Sequence, residues 1–179
     1  MSSRSIPIFY EDDRGPVKEF GLHELIVACV ADEWRQDWWA LRDRFDAIPL
    51  KGAAKLLRAC EHDVPVMPDA LCFAVFDADK LHRLLFPSGR PSSDELLAEL
   101  RRRCSDPRLV MFLLDKNTET VVDAVADCLG EPRPAKRKLY RDRFLNRAAR
   151  GLRQHRECVR AAVPTLDACV REIAALTRG

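Results

Sequence analysis

Residues 71–79 read Leu-Cys-Phe-Ala-Val-Phe-Asp-Ala-Asp. Leu71–Phe76 is an unbroken apolar run, short and rich in β-formers, which suits a strand buried on both faces. It stops at Asp77-Ala78-Asp79, and Lys80–Phe86 then reads as a short helix. Strand, acidic end and helix, in that order, form the repeating unit of a parallel α/β sheet.

Two further runs repeat the pattern. Ser5–Tyr10 (SIPIFY) is a buried strand cut off by Glu11-Asp12-Asp13, and Arg108–Leu114 (RLVMFLL) is a third, closed by Asp115-Lys116-Asn117. Helical spacing of apolar residues marks Phe20–Trp34, Trp38–Phe45, Lys51–Cys60, Asp94–Cys104 and Thr118–Cys128, with Ser92 or Ser93 and Thr118 as caps. Past the Pro-containing linker Gly130–Pro134, three more helices are expected at 135–149, 152–161 and 165–177. The reading is an α/β fold with a mainly parallel central sheet flanked by helices and a helical C-terminal extension. Its expected division is an α/β domain over 1–130 and a basic helical extension over 131–179.

Composition narrows the function. The chain has 179 residues, 47% hydrophobic and 32% charged, the balance of a globular domain with its own core. No apolar run is long enough for a secretory leader or a membrane span, so a cytoplasmic protein is expected. The seven cysteines are scattered, with no CxxC pair. That argues against a zinc site and a disulfide framework, and reads them as small core residues of a reducing compartment. No P-loop pattern is present, so nucleoside triphosphate hydrolysis is not expected of this chain alone.

The acids at the strand ends carry the chemistry. In an open parallel sheet, ligands bind outside the carboxyl ends of the strands. Clustered carboxylates repel unless a cation sits among them. Magnesium or manganese suits such oxygen ligands and activates water for phosphodiester cleavage. The bland alternative is that these acids are turn residues and helix caps, as Asp79 would be ahead of Lys80-Leu81-His82.

A strand ending in Glu11 and another ending in Asp77-x-Asp79, with a helix between, resemble the Toprim-type catalytic domain of topoisomerases, bacterial primases and small stand-alone nucleases of the overcoming-lysogenization-defect type. The resemblance covers about residues 5–128. It implies that Glu11 acts as general acid or base and that Asp77 and Asp79 hold magnesium. Glu119, at the start of the helix after the third strand, carries over as a further metal-binding acid. Val163-Pro164-Thr165 is similar to the motif that introduces the terminal helices of short members. In the family a glycine directly follows the Glu; here Asp12 stands in that place, where it opposes anion binding unless a metal is bound. Tyr10-Glu11-Asp12-Asp13 also resembles the opening of a phosphoacceptor receiver domain, with Asp77 and Lys116 in its later positions. The span from Asp12 to Asp77 is long for that fold, and no Pro follows Lys116.

Charge is unevenly spread. Residues 131–160 hold eleven Lys/Arg against three acids, an excess of eight that leaves the rest of the chain at −6 for a total of +2. Lys136, Arg137, Lys138, Arg141 and Arg147 fall on a helix as a candidate nucleic-acid stripe, alongside the alternative of a solvated face. Trp34, Trp38 and Trp39 read as core or interface packing, or, if exposed, as a partner surface. His82 stands close to the Asp-x-Asp pair.

The resulting expectation is a magnesium- or manganese-dependent nuclease in nucleic-acid processing or defence against foreign DNA, working beside a separate ATPase or effector protein. Its alternative is a catalytically inactive Toprim-like binding or regulatory subunit, with the receiver-like signalling domain as a third reading.

Overall fold

The computed structural model describes residues 5–12, 20–68 and 71–178. Asp13, one of the acids named above, lies outside the described residues. The chain divides into two compact units, residues 1–17 with 44–117 and residues 18–43 with 118–179.

The first unit holds the sheet. Its strands are β1 (Ile6–Glu11), β2 (Phe45–Leu50), β3 (Cys72–Asp77) and β4 (Leu109–Leu114). All pair in parallel, in the order β2-β1-β3-β4. Three of the four are the strands expected from the sequence. β2 is the exception: the helix expected over Trp38–Phe45 ends at Leu41, a 3-10 turn takes Arg42–Arg44, and Phe45 opens a strand. Asp46 and Pro49 disguise it, because neither favours a strand interior. Pro49, opposite Tyr10 of β1, is accommodated because β2 is an edge of the sheet.

Alternation along the strands sends Phe9, Cys72, Ala74, Phe76, Leu109 and Leu113 into one apolar cluster. Leu56 and Leu57 of α3 (Ala53–Arg58), Leu81 of α4 (Ala78–Leu85), and Leu96 and Leu100 of α5 (Ser93–Arg103) complete it. The other face carries Ile8, Tyr10, Phe73, Val75 and Leu114, equally buried. Burial on both faces explains why these strands read as continuous apolar runs rather than alternating ones. α3 stops at Arg58, short of the expected Cys60, and continues as a π turn over Ala59–Asp63 and a 3-10 turn over Val64–Val66. α5 starts with a capping box: Ser92 Oγ accepts from the Glu95 amide (3.2 Å) while the Ser92 amide donates to Glu95 Oε2 (2.6 Å).

The second unit is helical: α1 (Gly21–Trp34), α2 (Trp38–Leu41), α6 (Thr118–Leu129), α7 (Arg137–Arg150), α8 (Arg153–Ala162) and α9 (Pro164–Thr177). α1 is buried nearly all round, from Gly21 to Ala31. Its start lies so close to α7 that a Cβ on Gly21 would come within 2.9 Å of Asp142 Cα and Leu145 Cβ. The Gly21 amide donates to Asp142 Oδ1 (3.0 Å), and Trp34 Nε1 donates to the Ala174 carbonyl (3.1 Å). Five cysteines, Cys29, Cys60, Cys72, Cys104 and Cys169, are buried thiols, as core residues should be. Cys128 and Cys158 depart from that expectation: they form a disulfide joining α6 to α8, with their Cα atoms 5.9 Å apart. No helix among the described residues is long and apolar enough to cross a membrane.

Candidate active site at the sheet switch point

After β1 the chain goes to β2 on one side of the sheet; after β3 it goes to β4 on the other. The crevice between two neighbouring strands whose connections diverge is where α/β sheets bind ligands. Glu11 is the last residue of β1 and Asp77 the last of β3, so both stand at that crevice.

Both are almost wholly buried, at 3% and 2% exposure. The Asp77 amide donates to Glu11 Oε2 (3.4 Å). Lys80, one helical turn beyond Asp77 on α4, inserts its ammonium beside the two carboxylates: Nζ lies 3.0 Å from Glu11 Oε1 and 3.5 Å from Asp77 Oδ2. Burial pushes the Glu11 carboxyl up to about 7, the like charge of Asp77 adds to the rise, and the Lys80 ammonium opposes it.

Asp79 is held differently. Its Oδ2 accepts from Asn117 Nδ2 (3.1 Å) and lies 3.8 Å from Arg83 Nη2, while its amide donates to the Lys116 carbonyl (2.9 Å). Lys116 takes a left-handed backbone (φ 58°), turning the end of β4 toward α4. Asp79 Oδ1 is buried without a hydrogen-bond partner. Asp12 is fully buried, its amide donating to the Leu50 carbonyl of β2 (2.9 Å). Asp115 is exposed, and His82 Nε2 pairs with the Gly89 carbonyl (2.6 Å). Glu119 belongs to the helical unit, where its Oε1 lies 3.8 Å from Arg141 Nη1.

Glu11 and Asp77 thus converge on one cation position, occupied by Lys80. Among the described residues no group of three or more His, Cys, Asp or Glu side chains is arranged to hold a metal. Two carboxylates do suffice for magnesium, which takes one or two from the protein and the rest from water and substrate phosphates. The residues fit such an ion once the Lys80 side chain withdraws, and they do not fit an all-protein cage. Lys80 is the residue at this crevice that sequence reading passed over. Its signal was the i,i+3 spacing from Asp77 across the start of a helix.

The basic stripe is largely matched by acids of its own unit. Arg137 Nε donates to Asp123 Oδ1 (2.7 Å) and Arg147 Nη1 to Glu131 Oε2 (2.7 Å). Arg141 is buried beside Glu119. Lys136 and Lys138 are exposed. Of the tryptophans, Trp34 and Trp38 are buried and Trp39 is 57% exposed, stacked on Trp38 (4.2 Å between rings) with the Arg42 guanidinium 5.6 Å from its ring.

No protein-family model matches the chain, and no curated protein and no solved structure matches it.

Proposed function

We propose that this α/β protein is a Toprim-like, magnesium- or manganese-dependent nuclease that hydrolyses phosphodiester bonds at the crevice between β1 and β3. The observation that carries this reading is the convergence of the Glu11 and Asp77 carboxylates on a single cation position at the switch point of the sheet. Asp77 and Glu11 would hold the ion, while Asp79 is engaged by Asn117 and Arg83. A bound divalent ion supplies charge stabilisation to the phosphate and acidifies its water. Glu11, ionising near neutral pH, is suited to take and return a proton. Lys80 would move from the carboxylates to the phosphate as the ion enters, an exchange its stem permits because its side chain keeps 19% exposure.

The occupied cation position also favours a second reading, a catalytically inactive Toprim-like binding or regulatory subunit in which Glu11, Lys80 and Asp77 form a permanent ion cluster. One experiment separates the two. Cleavage of single- and double-stranded DNA and RNA is measured with Mg²⁺ or Mn²⁺, for the native chain, Asp77→Asn and Lys80→Met, alongside melting temperature with and without the ion. The nuclease reading expects metal-dependent cutting that Asp77→Asn abolishes, and a larger ion-induced rise in melting temperature for Lys80→Met than for the native chain. No cutting, with no effect of the ion on the melting of Lys80→Met, would leave the permanent cluster.

A further inference from the structure

The disulfide of the helical unit joins Cys128, next to last in α6, to Cys158 on α8. All seven cysteines lie among the described residues. Of these Cys158 alone is exposed, Cys128 is partly buried, and the other five are buried. We propose that this bond is a site of reversible thiol–disulfide exchange with a small thiol of the glutathione class, in which Cys158 takes up the small thiol and Cys128 is the resolving cysteine. The proposal is independent of the nuclease reading, which concerns the other unit.

Access is the first argument. Exchange requires a thiolate to reach one sulfur of the bond, and exposed disulfides are the labile ones. Cys158 offers that sulfur on the outer face of α8, where Arg153, Gln154 and Glu157 are also exposed, while Arg156, Val159 and Arg160 face inward. The remaining thiols are shielded. Burial pushes the Cys29 thiol up to about 12 and raises that of Cys169 as well, so both stay protonated and inert.

The second argument is that the unit can bear the opening of the bond. α8 stays seated through Arg156 on Asp32 (2.6 and 2.9 Å), through Arg160 on Asp167 (2.6 Å), and through the buried Val159. The bond spans 30 positions, which contain the linker after α6 and the whole of α7. The ion pairs at that linker, Arg133 with Asp127 and Arg147 with Glu131, are surface pairs of the kind that add little. Opening the disulfide therefore loosens the tie between the end of α6 and α8 and leaves the buried clamp in place.

The exchange balances in two steps. A glutathione thiolate attacks Cys158 Sγ, the bond to Cys128 breaks, and its electron pair leaves on Cys128 Sγ, which takes a proton from water. A second glutathione thiolate attacks the glutathione sulfur of the mixed disulfide, releasing oxidised glutathione and the Cys158 thiolate. In the reverse direction the Cys158 thiolate attacks oxidised glutathione, and the Cys128 thiolate then closes the protein disulfide by expelling glutathione.

The test incubates the full native chain, without denaturant, at graded ratios of reduced to oxidised glutathione, followed by alkylation and intact-mass measurement. Reduction should open Cys128 and Cys158 to alkylation while the five buried cysteines stay unlabelled, which also reports that the fold is intact. Cys128→Ser, treated with oxidised glutathione, should gain one glutathione that maps to Cys158. Cys158→Ser should gain its adduct about tenfold or more slowly, because the partly buried Cys128 gives less access. The five buried cysteines serve as the folding control in both variants. A disulfide that yields only in denaturant overturns the proposal, as does native reduction that labels the other five along with the pair, or an adduct that forms as fast on Cys128 as on Cys158.

Discussion

Each unit contains a buried ion cluster, and the two are built to different standards. In the helical unit Arg156 pairs bidentately with Asp32 (2.6 and 2.9 Å) and donates to the carbonyls closing α7. Arg160 beside it reaches both Asp167 (2.6 Å) and Glu33. Each guanidinium has its acid in direct contact. In the sheet unit two carboxylates share one ammonium at 3.0 and 3.5 Å, and the carboxyl of Glu11 is pushed up to about 7. The first cluster is a structural clamp, whereas in the second burial and the neighbouring Asp77 carboxylate keep the Glu11 carboxyl high against the pull of Lys80. The arginine clamp ties α1 to α8; the lysine cluster ties down only the ends of β1 and β3.

The comparison can be broken most severely at Asp32. Asp32→Ala leaves a buried guanidinium without its carboxylate and should cost about 3–5 kcal/mol, read by urea unfolding. A loss below about 1 kcal/mol, the range of exposed ion pairs, would mean that the helical cluster is no clamp. The disulfide reinforces the same unit. Cys128→Ser with Cys158→Ser opens a loop spanning 30 positions, for which chain entropy sets a loss of about 3–4 kcal/mol. The same fall should follow when the native chain is unfolded in reductant, and identical curves with and without reductant would count against the bond.

The smallest of these effects sharpens the other side of the comparison. The carboxyl of Glu11 ionises near 4.5 when unfolded and near 7 when folded. Between those values the folded chain keeps a proton that the unfolded chain has lost. The stability contributed by this group is therefore full below pH 4.5, falls as pH rises, and is gone above about 7, a change of roughly 3 kcal/mol. Glu11→Gln should flatten that slope in urea titrations across the window. A native profile as flat as the variant's would put Glu11 in the same class as the helical clamp.

Much of the architecture is visible in the primary structure. The runs Ile6–Tyr10, Cys72–Phe76 and Leu109–Leu114 declare strands buried on both faces, and the cap at Ser92 declares the helix it starts. The three C-terminal helices fall within two residues of their expected ends. β2 escapes because an edge strand tolerates the Asp and Pro that disguise it. At the site, Glu11 and Asp77 are legible as acids that end strands. Lys80 is not, because its importance lies in where a helix starting at Ala78 carries it.

Run length, apolar period and cap chemistry are local, and they alone determine this protein's strands, most of its helices and the position of its acids. What only the tertiary structure decides is which of those groups meet. Neighbouring strands bring Glu11 beside Asp77, 66 residues apart, and leave Lys80 between them. Helix packing sets Arg156 on Asp32 across 124 residues, matches Arg137 to Asp123, and joins Cys128 to Cys158. Charge and thiol pairing depend on distance in space, so a stripe that reads as bare positive charge along the chain is largely compensated once the helices pack.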